Sequence, residues 1–339
     1  MKSAIINPVI VDHLLSIVWE DWTDLSEPAL NLLTICMKHS NHPITLLPDT
    51  TSEILAKLID SGNNQSILAA LTVITECAQY TQFKNYQTIM KFLSTQIIIE
   101  VTELFCSTNL LDIQEQAAET LHHIIISDHL RPILLMENFV ASLLSAAATG
   151  DIFFQLSSVN ILYLLAKHES GNPFLEEGHI NILKDLLLNP DDQLKLLVLR
   201  IIPFLSQTVH GCHLIAVKDI LTPLLSLGDH PDRQVSRTAL HDLEVLFASD
   251  KLLRHSLDLK EYIQLILRIS KSSDLGQHLA IQQTFATLMK YDDIHGKVIC
   301  SEILGPIFRT LHRDFDPLLS KEELSKAIPI QNTSNRAGS

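Results

Sequence analysis

Glu176, Glu177 and His179 stand within four residues of one another in GNPFLEEGHINILKDLLLNPDDQ, the stretch from Gly171 to Gln193. Two carboxylates and an imidazole at that spacing are the raw material of a metal site or of general acid and base chemistry. Three further clusters offer similar material. Cys36, His39 and His42 follow one another at three-residue steps, His210-Gly211-Cys212-His213 places two imidazoles around a thiol, and His122 and His123 are adjacent. A closed zinc site needs four ligands, and neither cysteine–histidine cluster has a fourth at hand. Neighbouring residues on a helix point about 100° apart, so His122 and His123 do not both face one ion. All four clusters read as solvated or structural polar residues, and no metal or cofactor is expected.

Covalent and phosphate chemistry also lack their anchors. The sequence contains no GxSxG, no GxxxxGK followed by Ser or Thr, no GxGxxG and no HExxH. Its 339 residues hold only 10 glycines, too few for a fold that uses glycine in turns and phosphate loops. A formal net charge of −14 argues against nucleic acid or an anionic membrane as the main partner. It suits attraction of a basic or mixed segment of another protein. The five cysteines (Cys36, Cys77, Cys106, Cys212 and Cys300) are scattered and never form CxxC, as in a reduced cytoplasmic or nuclear protein. Asn7, Pro8 and Asp12 interrupt the N-terminal apolar run, so no signal peptide is expected, and no apolar run is long enough to insert in a membrane. The expectation is a protein that is not an enzyme.

The elements that must carry these residues show up as a repeat. Apolar triplets spaced for one helix face occur at Leu14/Ile17/Val18, Leu55/Leu58/Ile59, Val101/Leu104/Phe105, Val140/Leu143/Leu144, Leu183/Leu186/Leu187, Leu221/Leu224/Leu225, Ile263/Ile266/Leu267 and Leu304/Ile307/Phe308. They recur every 38 to 46 residues. A polar turn follows each of the first seven, among them 61–64, 149–151, 189–192, 228–232 and 272–274, where Asp, Asn and Ser can cap the next helix. Longer helices are predicted at 66–78, 114–126, 155–166, 193–205, 234–247 and 277–289. Pro223 and Pro306 fall near helix starts, where a missing N–H does little harm, and Pro203 predicts a kink or an early end.

The order Asn172-Pro173-Phe174-Leu175-Glu176-Glu177-Gly178 followed by Ile182-Leu183-Lys184-Asp185-Leu186-Leu187 resembles an armadillo repeat: a short helix running into glycine, a second helix, then a long third helix. DIQEQAAETLHHI, Asp112 to Ile124, resembles the start of such a third helix, and Gly211 and Gly296 echo Gly178. The resemblance spans about residues 9–312. It implies an all-α, right-handed α-solenoid of about seven to eight armadillo-like repeats, whose third helices line a concave groove. It places Glu176, Glu177 and His179 in the short-helix segment.

Importin alpha, within this family, grips basic signals through rows of Trp and Asn two residues before and two after an anchoring leucine. With Leu30, Leu71, Leu121, Leu162, Leu199, Leu240 and Phe285 as anchors, the first row reads Pro28, Ala69, Glu119, Asn160, Leu197, Thr238 and Gln283. The second reads Leu32, Val73, His123, Leu164, Ile201, Asp242 and Thr287. Neither ladder is present, which disfavours a transport or targeting adaptor carrying cargo between cytoplasm and nucleus, the alternative reading. The resemblance implies instead an interaction scaffold binding an extended or helical segment, alone or as a subunit of a larger complex. Its candidate groove residues are Glu119, His123, Asn160, Leu164, Thr238, Asp242, Gln283 and Thr287. The repeat domain is expected over 1–328, ending in a capping helix over 316–328, with a disordered tail over 329–339. Trp19 and Trp22 at the uncapped N-terminal end either pack internally or dock a partner.

Overall fold

A computed structural model describes residues 8–19, 23–39, 47–48, 50–79, 93–107, 110–135, 139–169, 171–174, 176–292 and 294. Among them there is no strand. The chain divides into two compact units, residues 1–223 and 224–339.

In the first unit, helices pair as α1 (Pro8–Trp19) with α2 (Thr23–His39) and α3 (Thr51–Ile59) with α4 (Asn64–Gln79). They continue as α5 (Thr95–Ser107) with α6 (Leu111–Ile126), α8 (Phe139–Thr149) with α9 (Ile152–His168), and α10 (Glu177–Leu187) with α11 (Asp192–Leu205). Short connecting helices are α7 (Arg131–Leu134), a 3-10 turn over Asn172–Phe174, and α12 (Val209–Val217). Helix α13 (Leu221–Leu227) crosses the division. The second unit continues with α14 (Arg233–Ser249), α15 (Lys251–Ser256), α16 (Leu259–Ile269) and α17 (Leu275–Met289).

The apolar triplets of the described repeats are buried, except the half-buried Ile17, Leu104 and Leu267. The anchors Leu30, Leu71, Leu121, Leu162, Leu199 and Leu240 are fully buried, and Phe285 is half-buried. Each such leucine contributes roughly 1.5–3 kcal/mol of apolar burial.

In each of the five turns, one Asn or Asp supplies the expected cap. Asn63, Asp151, Asp191, Asp232 and Asp274 each accept hydrogen bonds from the first free N–H groups of the third helix that follows. Helix α6 is the exception, entering from Leu110 with no side-chain cap. Helix α11 ends at Leu205, two residues after Pro203, where the Ser206 hydroxyl donates to the Pro203 carbonyl. Pro223 lies in the first turn of α13, as expected.

The far ends of two third helices share another device. A buried arginine from the following short helix donates to a carbonyl left free at the helix C-terminus. Arg131 reaches Ile125 O at 2.9 Å, and Arg254 reaches Phe247 O at 2.7 Å. Arg131 also pairs with Asp128 and Glu169, while Arg254 stacks over the Tyr291 ring.

Two details correct the sequence reading. The short helix is Asn172–Phe174, and Glu177 already opens α10, so Glu177, Gly178 and His179 form a first helical turn. Gly178 and Gly211 are not equivalent. Nothing lies within 4 Å of a Cβ added at Gly178, whereas one at Gly211 would overlap the Leu205 carbonyl. The triplet at 304–308, Pro306, Gly296, the helix over 316–328, the tail over 329–339 and Trp22 lie outside the described residues.

Candidate functional site

The clusters that first suggested chemistry do not converge. Glu177 accepts a hydrogen bond from Lys218 at 2.8 Å, which holds its carboxyl below the usual range, and Lys184 bonds the Lys218 carbonyl at 3.1 Å. His179 Nε2 lies 3.6 Å from Glu176, while its buried Nδ1 has no partner. The turn thus ties α10 to the end of α12. Cys212 is buried and its thiol donates to Ser206 O at 3.2 Å, whereas His210 and His213 are exposed. His122 and His123 meet edge to face at 5.4 Å. His42 lies outside the described residues. Among the described residues, no three His, Cys, Asp or Glu side chains are grouped to hold a metal ion. Burial pushes the Cys77 thiol up to about 12 and the Cys106 thiol to about 11, far from a reactive thiolate.

The eight candidate groove residues separate into two classes. Glu119, Asn160 and Gln283 are exposed, and His123 and Thr238 are half-buried. Leu164, Asp242 and Thr287 are buried, so they face no ligand on the accessible surface. The division follows the rows. Every described residue two before an anchor (Pro28, Ala69, Glu119, Asn160, Leu197, Thr238, Gln283) is exposed or half-buried. Two after the anchor, Leu32 is exposed and His123 half-buried, but Val73, Leu164, Ile201, Asp242 and Thr287 are buried.

Helix geometry explains this asymmetry. At about 100° per residue, the positions one before and two after an anchor lie about 60° apart on one side of the helix. That side is turned to the preceding third helix. Thr120 shares a 2.7 Å hydrogen bond with Thr75 of α4, and the Gln79 amide approaches His123 Nε2 at 3.3 Å. Within the second unit, Thr284 donates to Leu240 O at 3.1 Å and Thr287 to Glu244 at 3.4 Å. Positions two before and one after the anchor share the opposite, open side. The second of these rows went unread in the sequence. It comprises Asn31, Thr72, His122, Tyr163, Arg200, His241 and Ala286, all exposed or half-buried. Its signal was available: the i, i+3 spacing pairs it with the first row.

Within the first unit this open face forms a cavity of about 400 Å³ between α9 and α11. Leu156, Ser157 and Asn160 line one wall, and Gln193, Leu196, Leu197 and Arg200 the other. Glu115 and Glu119 are exposed on α6, with Gln116 donating to Glu119 at 3.2 Å. Burial and the neighbouring His122 hold the His123 imidazole below its ordinary range, against the opposing pull of Glu119. The face therefore offers an acidic edge on α6 and an apolar floor with amides and a guanidinium between α9 and α11.

Solved structures share the fold. An engineered protein is similar over 82% of this chain and 68% of its own length, with a TM-score of 0.63 at 16% identity. Computationally designed armadillo repeat proteins for modular peptide recognition are similar over 69% of this chain and 98% of their own, with a TM-score of 0.55 at 13% identity. The fold is an armadillo-like, all-α solenoid. At these identities the armadillo-like resemblance concerns the fold alone. No protein-family model matches the sequence, and no curated protein matches it. No described helix is long and apolar enough to cross a membrane.

Proposed function

We propose that this armadillo-like chain is a non-enzymatic interaction scaffold that holds an extended or helical segment of a partner protein on the open face of its third helices. The observation that carries the reading is the α9–α11 cavity beside Asn160 and Arg200, whose polar side chains have no bonding partner among the described residues. A preformed, helix-mounted surface lowers the ordering penalty of binding. Unpaired amides offer a segment's peptide groups the hydrogen bonds they lose with water. Designed proteins of similar fold, made for modular peptide recognition, point the same way.

The test compares wild type with a Glu119→Lys/Asn160→Lys variant by affinity capture from cell lysate, after circular dichroism shows equal helicity. Both positions are exposed, so the fold is expected to survive. Loss of a specific partner from the variant supports binding on the open face. Retention of every partner moves the interaction elsewhere and overturns the reading.

A further inference from the structure

Five of the six arginines in the described residues are engaged. Arg131 pairs with Asp128 and Glu169, Arg233 and Arg237 with Asp274, and Arg268 with Asp229, while Arg254 caps a carbonyl and stacks on Tyr291. Arg200 alone has no partner; it is exposed at the wall of the α9–α11 cavity. Below it lie the half-buried Leu156, Leu196 and Leu197. Asn160 faces it from the other helix, its amide also without a partner.

A guanidinium is planar and presents paired N–H donors that match a carboxylate. Beside an apolar floor, such a pair is screened less than it would be on an open surface. The chain carries a net charge of −14, so an uncompensated cation in a cleft is out of keeping with the rest of the surface. We infer that the α9–α11 cleft takes an Asp or Glu side chain from an extended segment of another protein, with a large apolar neighbour of that residue seated on Leu156, Leu196 and Leu197. The carboxylate meets Arg200, and Asn160 bonds the segment's backbone. This inference rests on the open-face reading above and names the chemistry of the occupant.

The probe is a bead-displayed library of random 12-residue peptides selected on the full chain, followed by affinity measurement of selected peptides. Wild-type selections are expected to enrich Asp or Glu beside Leu, Ile, Phe or Met. Arg200→Gln should weaken the enriched peptides about 10- to 100-fold, the range for a charge-assisted hydrogen-bonded pair. Replacing the peptide's acid by its amide should weaken wild-type binding similarly and change Arg200→Gln binding little. Arg200→Glu selections should lose the acidic preference. Peptides that bind without an acid, ignore Arg200→Glu and fail on the Glu119→Lys/Asn160→Lys variant would overturn the carboxylate pairing and leave the open-face reading standing. Peptides indifferent to all these variants, or no selected peptide, would overturn both.

Discussion

Two pairs of third helices use their polar groups differently: α9 and α11 in the first unit, and α14 and α17 in the second. Between α9 and α11, Asn160, Gln193 and Arg200 are exposed around a cavity with an apolar floor. In the second unit, the seam between α14 and α17 is itself polar. Gln277 donates to Ser236 at 2.8 Å, Ser236 to Gly228 O at 2.6 Å, Thr284 to Leu240 O, and Arg237 to Asp274 at 2.6 Å. Elsewhere on α14, Asp242 is buried with Oδ2 unpartnered. The same repeat unit can thus use side-chain hydrogen bonds to set the register of neighbouring helices, or leave them available to a ligand.

The sharpest way to break this contrast is a charge reversal in each unit. Asp242→Lys buries an unpaired cation and is expected to remove about 3–5 kcal/mol of stability. Glu119→Lys should stay within about 0.5 kcal/mol, because the site is exposed. Chemical denaturation of both variants measures the difference, and equal losses would erase it. Asp242 also gives a pH signature. Burial pushes its carboxyl well above the ordinary range. The folded chain therefore keeps that proton to higher pH than the unfolded chain. The associated stability is complete below the ordinary carboxylate value, about pH 4, and is lost as pH rises toward the folded value. Asp242→Asn cannot ionise and should be more stable than wild type at neutral pH, with the gap closing in acid. A gap that stays constant with pH would mean that Asp242 ionises as readily folded as unfolded.

A smaller effect is expected inside the polar seam. Thr284 donates to Leu240 O and to Ala280 O from a fully buried position. Thr284→Val keeps the shape and deletes the hydroxyl, for a loss of about 1 kcal/mol by denaturant titration. No loss would mean the hydroxyl fills space without holding register.

What was legible in the sequence tracks what is local. The capping turns at Asn63, Asp151, Asp191, Asp232 and Asp274 and the predicted third helices depend on residues a few positions apart, and their boundaries agree within a few residues. The buried face of each helix followed from its 3.6-residue period. The sides of the helix did not. Positions two before and two after an anchor are symmetric about the direction opposite it, so the sequence period treats them alike. Only the neighbouring repeat decides which is covered. That is why Leu164, Asp242 and Thr287 were read with Glu119 and Asn160, and why Arg200 was passed over. The glycines teach the same lesson: Gly211 is needed because the Leu205 carbonyl sits against it, while Gly178 has open space.

The finest probe of the contrast is a pair of matched arginine changes. Arg237 is half-exposed and donates to the buried Asp274, which Arg233 also approaches at 3.3 Å. Arg237→Gln leaves Asp274 with Arg233 and the α17 N–H groups, so the loss should be small, about 0.5 kcal/mol. Arg200→Gln removes no intramolecular bond and should leave the denaturation midpoint unchanged within error while altering peptide binding. The two variants carry the same chemical change on third helices of the same fold. A loss in Arg200→Gln as large as that in Arg237→Gln would show that Arg200 works within the fold, and the distinction between an open face and a register seam would fail at that residue.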